Sequence, residues 1–147
     1  MSLRPNILYL NSHDTGRYIQ PYGHAVPTPT LQKLAEEGVL FRQAYCASPT
    51  CSPSRSALLT GQAPHSNGML GLAHLGFALH DYRQHWLHTF RAAGYETTLI
   101  GLQHIATDPQ VIGYDRIVPV PDFHASQVAP SVADFLSQQP KEPFYLE

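Results

Sequence analysis

Charge is scarce in this chain, and neither sign dominates. Nine Lys and Arg stand against eleven Asp and Glu, a formal net charge of −2, and charged residues make up 14% of the sequence. A balance so close to neutral gives no electrostatic reason to expect nucleic acid or an anionic membrane as partner. Cysteine is scarcer still. With only Cys46 and Cys51 there is no disulfide scaffold, although one bridge closing a small loop is compatible with the spacing. No run approaches the roughly 18 apolar residues that span a bilayer. A secretory leader is not visible either, because Pro5-Asn6-Ile7-Leu8-Tyr9-Leu10 already reads as a strand. The expectation is a cytoplasmic protein, or a secreted or periplasmic one whose leader has been removed. What is plentiful points the other way, toward a folded body with a polar site. Hydrophobic residues make up 43% of 147 positions, with nine histidines and thirteen prolines. That length suits one domain with a single core.

The apolar pattern alternates between short strand-like runs and helical stripes. Asn6 to Asn11 is a first strand, and Asp14 to His24 is a polar loop at its carboxyl end. Thr28-Pro29 offers a helix cap followed by proline in the first turn, Leu31, Leu34 and Ala35 form a stripe, and Gly38 is a stop. Val39 to Ala44 resumes as a strand. Ser52-Pro53 repeats the cap signal ahead of Ala57, Leu58 and Leu59, and Gly61 ends that helix. Tyr82 to Ala93 is a third helix, Thr97 to Ile100 and Ile117 to Val120 are strands, Ser131 to Gln138 is a helix after Pro130, and Phe144-Tyr145-Leu146 is a last strand. Alternation of this kind predicts an α/β fold with a mostly parallel sheet flanked by helices. Ligands gather at the carboxyl ends of such strands. Asp14, Cys51 and His104 each follow a strand-like run.

The segment Cys51-Ser52-Pro53-Ser54-Arg55, continued by Leu59-Thr60-Gly61, concentrates the chemistry. A cysteine beside a helix start meets unpaired backbone N–H groups and the positive end of the helix dipole. Arg55 lies about one turn on and can reach back to the same end. Sulfur, N–H donors and a forked cation around one small volume suit a tetrahedral oxyanion such as sulfate or phosphate. The plainer reading is a buried cysteine on a capped helix. A cysteine-phosphatase loop fails, because it needs arginine six positions after the cysteine, where Ala57 stands. A zinc site on Cys46, Cys51 and histidines fails too, for want of a second ligand pair.

These residues resemble the sulfatase signature, Cys-x-Pro-Ser-Arg followed by Leu-Thr-Gly. Other blocks agree in order: Pro5 to Leu8 with Asp14 and Gly16, Thr28-Pro29 with Leu31, Leu34 and Ala35, Gly38-Val39-Leu40-Phe41, then Gly94-Tyr95, Ile100-Gly101 with His104, and Pro143-Phe144-Tyr145. His65, Asn67-Gly68-Met69 and Gly71-Leu72 look most like the heparan N-sulfatase (sulfamidase) branch. The resemblance implies an alkaline-phosphatase-like fold and hydrolysis of a sulfuric ester or N-sulfate on a small molecule or saccharide. It implies that a formylglycine-generating enzyme oxidises Cys51 to formylglycine, whose hydrate attacks sulfur and then expels sulfate by regenerating the aldehyde. Arg55 would hold the formylglycine oxygens, and His104 would contact them or the sulfate. A divalent cation, usually calcium, would take Asp14, His13 and the modified Cys51 as ligands.

Two positions depart from the family pattern. His13 stands where a first Asp is usual, which weakens a calcium site or shifts it toward a transition metal. Leu102 stands where a sulfate-binding lysine is usual. His65 and His74 are candidates for the substrate pocket. Family members are longer, and their second metal-carboxylate segment comes later, so residues 1–147 read as the amino-terminal part of the catalytic domain, inactive alone. The competing readings are a phosphoester or phosphonate hydrolase of the same superfamily and a non-catalytic anion-binding relative.

Overall fold

The structure, a computed structural model, describes residues 4–140 and 143–147. Instead of one core, the chain forms two compact units: Met1–Leu10 with Cys46–Glu147, and Asn11–Tyr45 between them.

The larger unit is built on a four-stranded sheet of β1 (Ile7–Leu8), β2 (Glu96–Ile100), β3 (Arg116–Val118) and β4 (Phe144–Leu146), in the order β1-β4-β2-β3. Every pairing is parallel: Ile7 opposite Tyr145, Thr97 opposite Tyr145, and Leu99 opposite Ile117. The predicted α/β class with a parallel sheet is therefore what the chain adopts. Successive side chains of a strand face opposite ways, and β2 and β4 use this to build two cores. Leu99 and Tyr145 enter one cluster with Leu59, Met69, Leu87, Ile105 and Ile112. Ile100, Phe144 and Leu146 enter the other with Phe135. Helices α2 (Cys51–Thr60) and α4 (Leu87–Ala92) contribute to the first side, α3 (Pro64–Asn67) packs on α2, and α5 (Ala125–Ser137) covers the second.

Several boundaries differ from the sequence reading. Helix α2 starts two residues earlier, with Thr50 as the cap residue and Cys51 already in its first turn. Ser52 is not a cap; its Oγ accepts the Ala73 N–H at 3.1 Å. The stretch Tyr82 to Ala93 is not one helix. A 3₁₀ turn over Tyr82–Gln84 ends at His85, whose ψ of 134° is extended, and α4 follows. The break lets the Leu87 N–H donate to His85 Nδ1 at 3.0 Å inside the core. Helix α5 begins at Ala125 and runs through Pro130 instead of starting after it. Proline forfeits one backbone bond there, but Val128, Val132 and Phe135 form a continuous face on the sheet, and that burial offsets the loss.

The smaller unit carries α1 (Pro29–Glu37), with proline in its first turn as expected. Thr28 is its cap residue, yet its hydroxyl accepts the Gln20 N–H at 3.1 Å while its own N–H donates to the Gln20 side chain at 3.2 Å. Val39 to Ala44 is not a strand. Val39 and Phe41 are exposed; an apolar run without a neighbour to complete its hydrogen bonds does not become a strand.

Candidate functional site

Position 51 owes its setting to the first turn of α2. The Ser54 N–H already bonds to the Thr50 carbonyl at 2.9 Å, and Pro53 has no N–H. That leaves the N–H groups of Cys51 and Ser52 outside the helix's own ladder, at its positive end. Beneath them Ser52, Pro53 and Ser56 are buried, so the turn is anchored from below. Cys51 is half-buried and both cysteines are free thiols.

The underside of α2 is tied by one side chain. Asn67 is buried; its amide donates to Ser56 Oγ, Thr60 Oγ1 and the Gln62 carbonyl at 3.2–3.3 Å, and its Oδ1 accepts the Met69 N–H at 3.0 Å. Gly68 follows at φ +90°, where a Cβ would sit 2.7 Å from the His80 ring. The Asn-Gly-Met block thus supports the helix and does not face a ligand. Sequence reading took it as a branch likeness and missed this role; an Asn-Gly pair that ends a short helix was the available signal.

The second contributor is the loop leaving the carboxyl end of β2. Gly101 has φ +116° and packs against Val128. Gln103 then folds back: buried, its Nε2 donates to the Ala106 carbonyl at 2.7 Å, and its Oε1 accepts the Ile105 and Ala106 N–H groups. This brace holds His104 at φ +57°, a conformation non-glycine residues seldom adopt. A ring nitrogen of His104 lies within 4.8 Å of Cys51 Sγ. Arg55, half-buried, donates from Nη1 to the Leu102 carbonyl at 3.5 Å. Leu102 therefore contributes its backbone oxygen, and its side chain is exposed. Cys51 and His104 thus lie near one another in the larger unit, and Arg55 reaches the same loop through the Leu102 carbonyl.

His13 and Asp14 belong to the smaller unit. Asp14 has φ +55°, and its exposed carboxylate meets His13 Nδ1 at 2.8 Å. His65 is exposed on α3. His74 lies in a 3₁₀ turn, Ala73–Leu75, 3.4 Å from His104. A cleft of about 360 Å³ lined by Gly94, Glu96, Asp115 and Pro143 opens at the amino end of β2, the wrong end of a parallel sheet for a ligand.

Beyond the site, β4 runs into Glu147. Its Oε2 accepts the hydroxyls of Tyr145 at 2.6 Å and Tyr114 at 2.9 Å. Burial pushes the Glu147 carboxyl above its ordinary range, against those two hydrogen bonds and the field of Arg55. Tyr145 also accepts the Trp86 indole N–H at 2.8 Å, and burial raises both tyrosines.

The sequence matches the family described as Sulfatase over residues 5–146. It is 36% identical to human N-acetylgalactosamine-6-sulfatase over 136 residues, which is 82% of this chain and 26% of that protein. It is 32% identical to an N-acetylglucosamine-6-O-sulfatase of Bacteroides thetaiotaomicron over 115 residues, 77% of this chain and 20% of that one. A solved structure of a protein in complex with its substrate D-glucosamine-2-N,6-O-disulfate superimposes with a TM-score of 0.77 at 24% identity, over 97% of this chain and 33% of that chain. The chain thus spans about a quarter or less of these curated relatives.

Proposed function

Because the chain belongs to the sulfatase family, we propose that it is the amino-terminal part of a hydrolase of sulfuric esters, with Cys51 as the precursor of its nucleophile. One observation carries this reading: Cys51 opens α2, Arg55 follows one turn later, and a His104 nitrogen lies within 4.8 Å of the sulfur. The sulfated sugar bound by the structural neighbour and the amino-sugar sulfatases among the relatives support a sulfated saccharide as substrate. They favour a 6-O-sulfate as much as the N-sulfate of the sulfamidase branch.

Oxidised to formylglycine by a maturation enzyme, residue 51 would supply a hydrated aldehyde, one hydroxyl to attack sulfur and a second to release sulfate. The chain's own groups have separable tasks. The N–H groups at the start of α2 and the Arg55 guanidinium draw the tetrahedral sulfate group, a monoanion in the ester, to position 51 and stabilise the charge that grows on its oxygens. Leu102 orients Arg55 through its carbonyl. His104, half-buried and braced by Gln103, holds or moves a proton at the reacting oxygens.

Sulfatases are in general metal-dependent, and a divalent cation such as calcium, held by Asp14 with His13, belongs to this proposal. A calcium ion takes about six to eight oxygen ligands. Asp14 offers one carboxylate, and its neighbour is an imidazole. These residues supply only part of such a site, so no step is assigned to the metal.

The test is expression of the full-length protein with a formylglycine-generating enzyme, intact-mass analysis, and kinetics on an aryl sulfate, an aryl phosphate and N-sulfoglucosamine. Conversion of Cys51 with sulfate preferred is expected, and Cys51→Ala should lower turnover by about a thousand-fold or more. A clear preference for phosphate would move the chain to the phosphoester branch of the superfamily.

A further inference from the structure

His104 does not stand alone beside Cys51. His74 Nδ1 lies 3.4 Å from His104 Nε2, the ring planes differ by 6°, and the ring centres are 5.6 Å apart. These three values fix the arrangement. The centre-to-centre distance equals the nitrogen–nitrogen gap plus one ring radius at each end, so both nitrogens lie on the line joining the centres. With the planes parallel as well, the rings share one plane and meet edge to edge. They are not stacked face to face. A hydrogen on either nitrogen points straight at the lone pair of the other.

The partner is also held in place. The N–H of Ala73, the residue before His74, donates to Ser52 Oγ at 3.1 Å, and the Ala73 carbonyl accepts Thr107 Oγ1 at 3.2 Å. The turn bearing His74 is thereby fixed both to the start of α2 and to the loop bearing His104. Gly71, just before it, lies so close to Phe77 that a Cβ would sit 2.4 Å from that ring. The His74 side chain itself is exposed; what these ties fix is the backbone turn that carries it.

We infer that His74 is a positioning residue for His104, setting its ring plane and its tautomer. The inference rests on the hydrolase reading for its consequence, and on geometry alone for the pairing. The two tautomers are locked together. A hydrogen on His74 Nδ1 leaves His104 Nε2 as acceptor and places the His104 hydrogen on Nδ1. A hydrogen on His104 Nε2 places the His74 hydrogen on its own Nε2. His104 is braced in backbone by Gln103 and in ring orientation by His74, so the imidazole beside Cys51 stays aligned without substrate.

The experiment compares His74→Ala and His74→Asn with wild type in the full-length protein; the asparagine amide can reach the place of Nδ1. Turnover and KM on a sulfated substrate are read alongside the ¹⁵N imidazole shifts of His104. Alanine should lower kcat about ten-fold or more with KM little changed and shift the His104 nitrogens, and asparagine should restore both. The inference is overturned if alanine leaves the His104 shifts as in wild type, or if asparagine restores neither readout. Absence of sulfate cleavage in wild type would sink the hydrolase reading, and the His104 shifts would still decide the pairing.

Discussion

The segment Asn11–Tyr45 and the unit around Cys51 hold their helices by different means. Helix α1 has no buried residue, and Leu31 and Leu34 are exposed. Its surroundings are tied by polar and ring contacts: the exchange between Gln20 and Thr28, the Tyr22 hydroxyl on the Phe41 carbonyl at 3.1 Å, and Arg17 over the Tyr22 ring. Helix α2, of similar length, buries five residues and is tied below by Asn67. Both follow from similar proline and glycine punctuation. A helical pattern thus announces a helix without saying how strongly it is held; packing decides that.

Three perturbations sharpen this contrast. Leu87 is fully buried in the core beneath α2, and Leu87→Ala should cost about 2–5 kcal/mol of stability in denaturant titration. A cost below 1 kcal/mol would mean that the larger unit is no better packed than the smaller. Next comes pH. Burial holds the His85 ring at about 3, with His88 adding repulsion. An unfolded histidine takes its proton near 6.5, so between about 6.5 and 3 the unfolded chain binds the extra proton. Stability from this group is complete above 6.5 and is lost as pH falls through that window, by up to about 1.4 kcal/mol per pH unit. Glu147, raised by burial, works in the opposite sense: its contribution is present at low pH and is lost as pH rises past the ordinary carboxylate range. His85→Gln should therefore flatten the acid slope of the unfolding midpoint; an unchanged slope would refute the assignment. The smallest effect belongs to the other unit. Leu34→Ala on the exposed face of α1 should change stability by no more than about 0.5 kcal/mol, and a larger loss would show that this face is covered.

Much of the architecture was legible because strand and helix periods differ and proline and glycine punctuate them. Thr97–Ile100 and Phe144–Leu146 read as strands, which the structure forms as Glu96–Ile100 and Phe144–Leu146, and Gly61 marked a helix stop that the structure keeps at φ +68°. The failures have physical causes. Val39 to Ala44 carries a strand's composition but lacks a paired neighbour. Pro130 suggested a start and became a mid-helix residue, because the Val128–Val132–Phe135 face gains from continuing. The Tyr82 stretch hid a break, since the apolar stripe gives no sign that His85 turns its ring nitrogen toward the next backbone N–H.

At the site, the sequence determined the chemistry: a cysteine opening a helix, an arginine four residues on, and a histidine after a buried strand are local facts of spacing. Only the tertiary structure decided how that histidine is held. Gln103 folding back, the Leu102 carbonyl meeting Arg55, and His74 lying edge to edge with His104 join residues up to 47 positions apart. Such pairings have no period and no motif. They exist because the parallel sheet delivers the loop after β2 to the start of α2, and a sequence carries no direct record of that meeting.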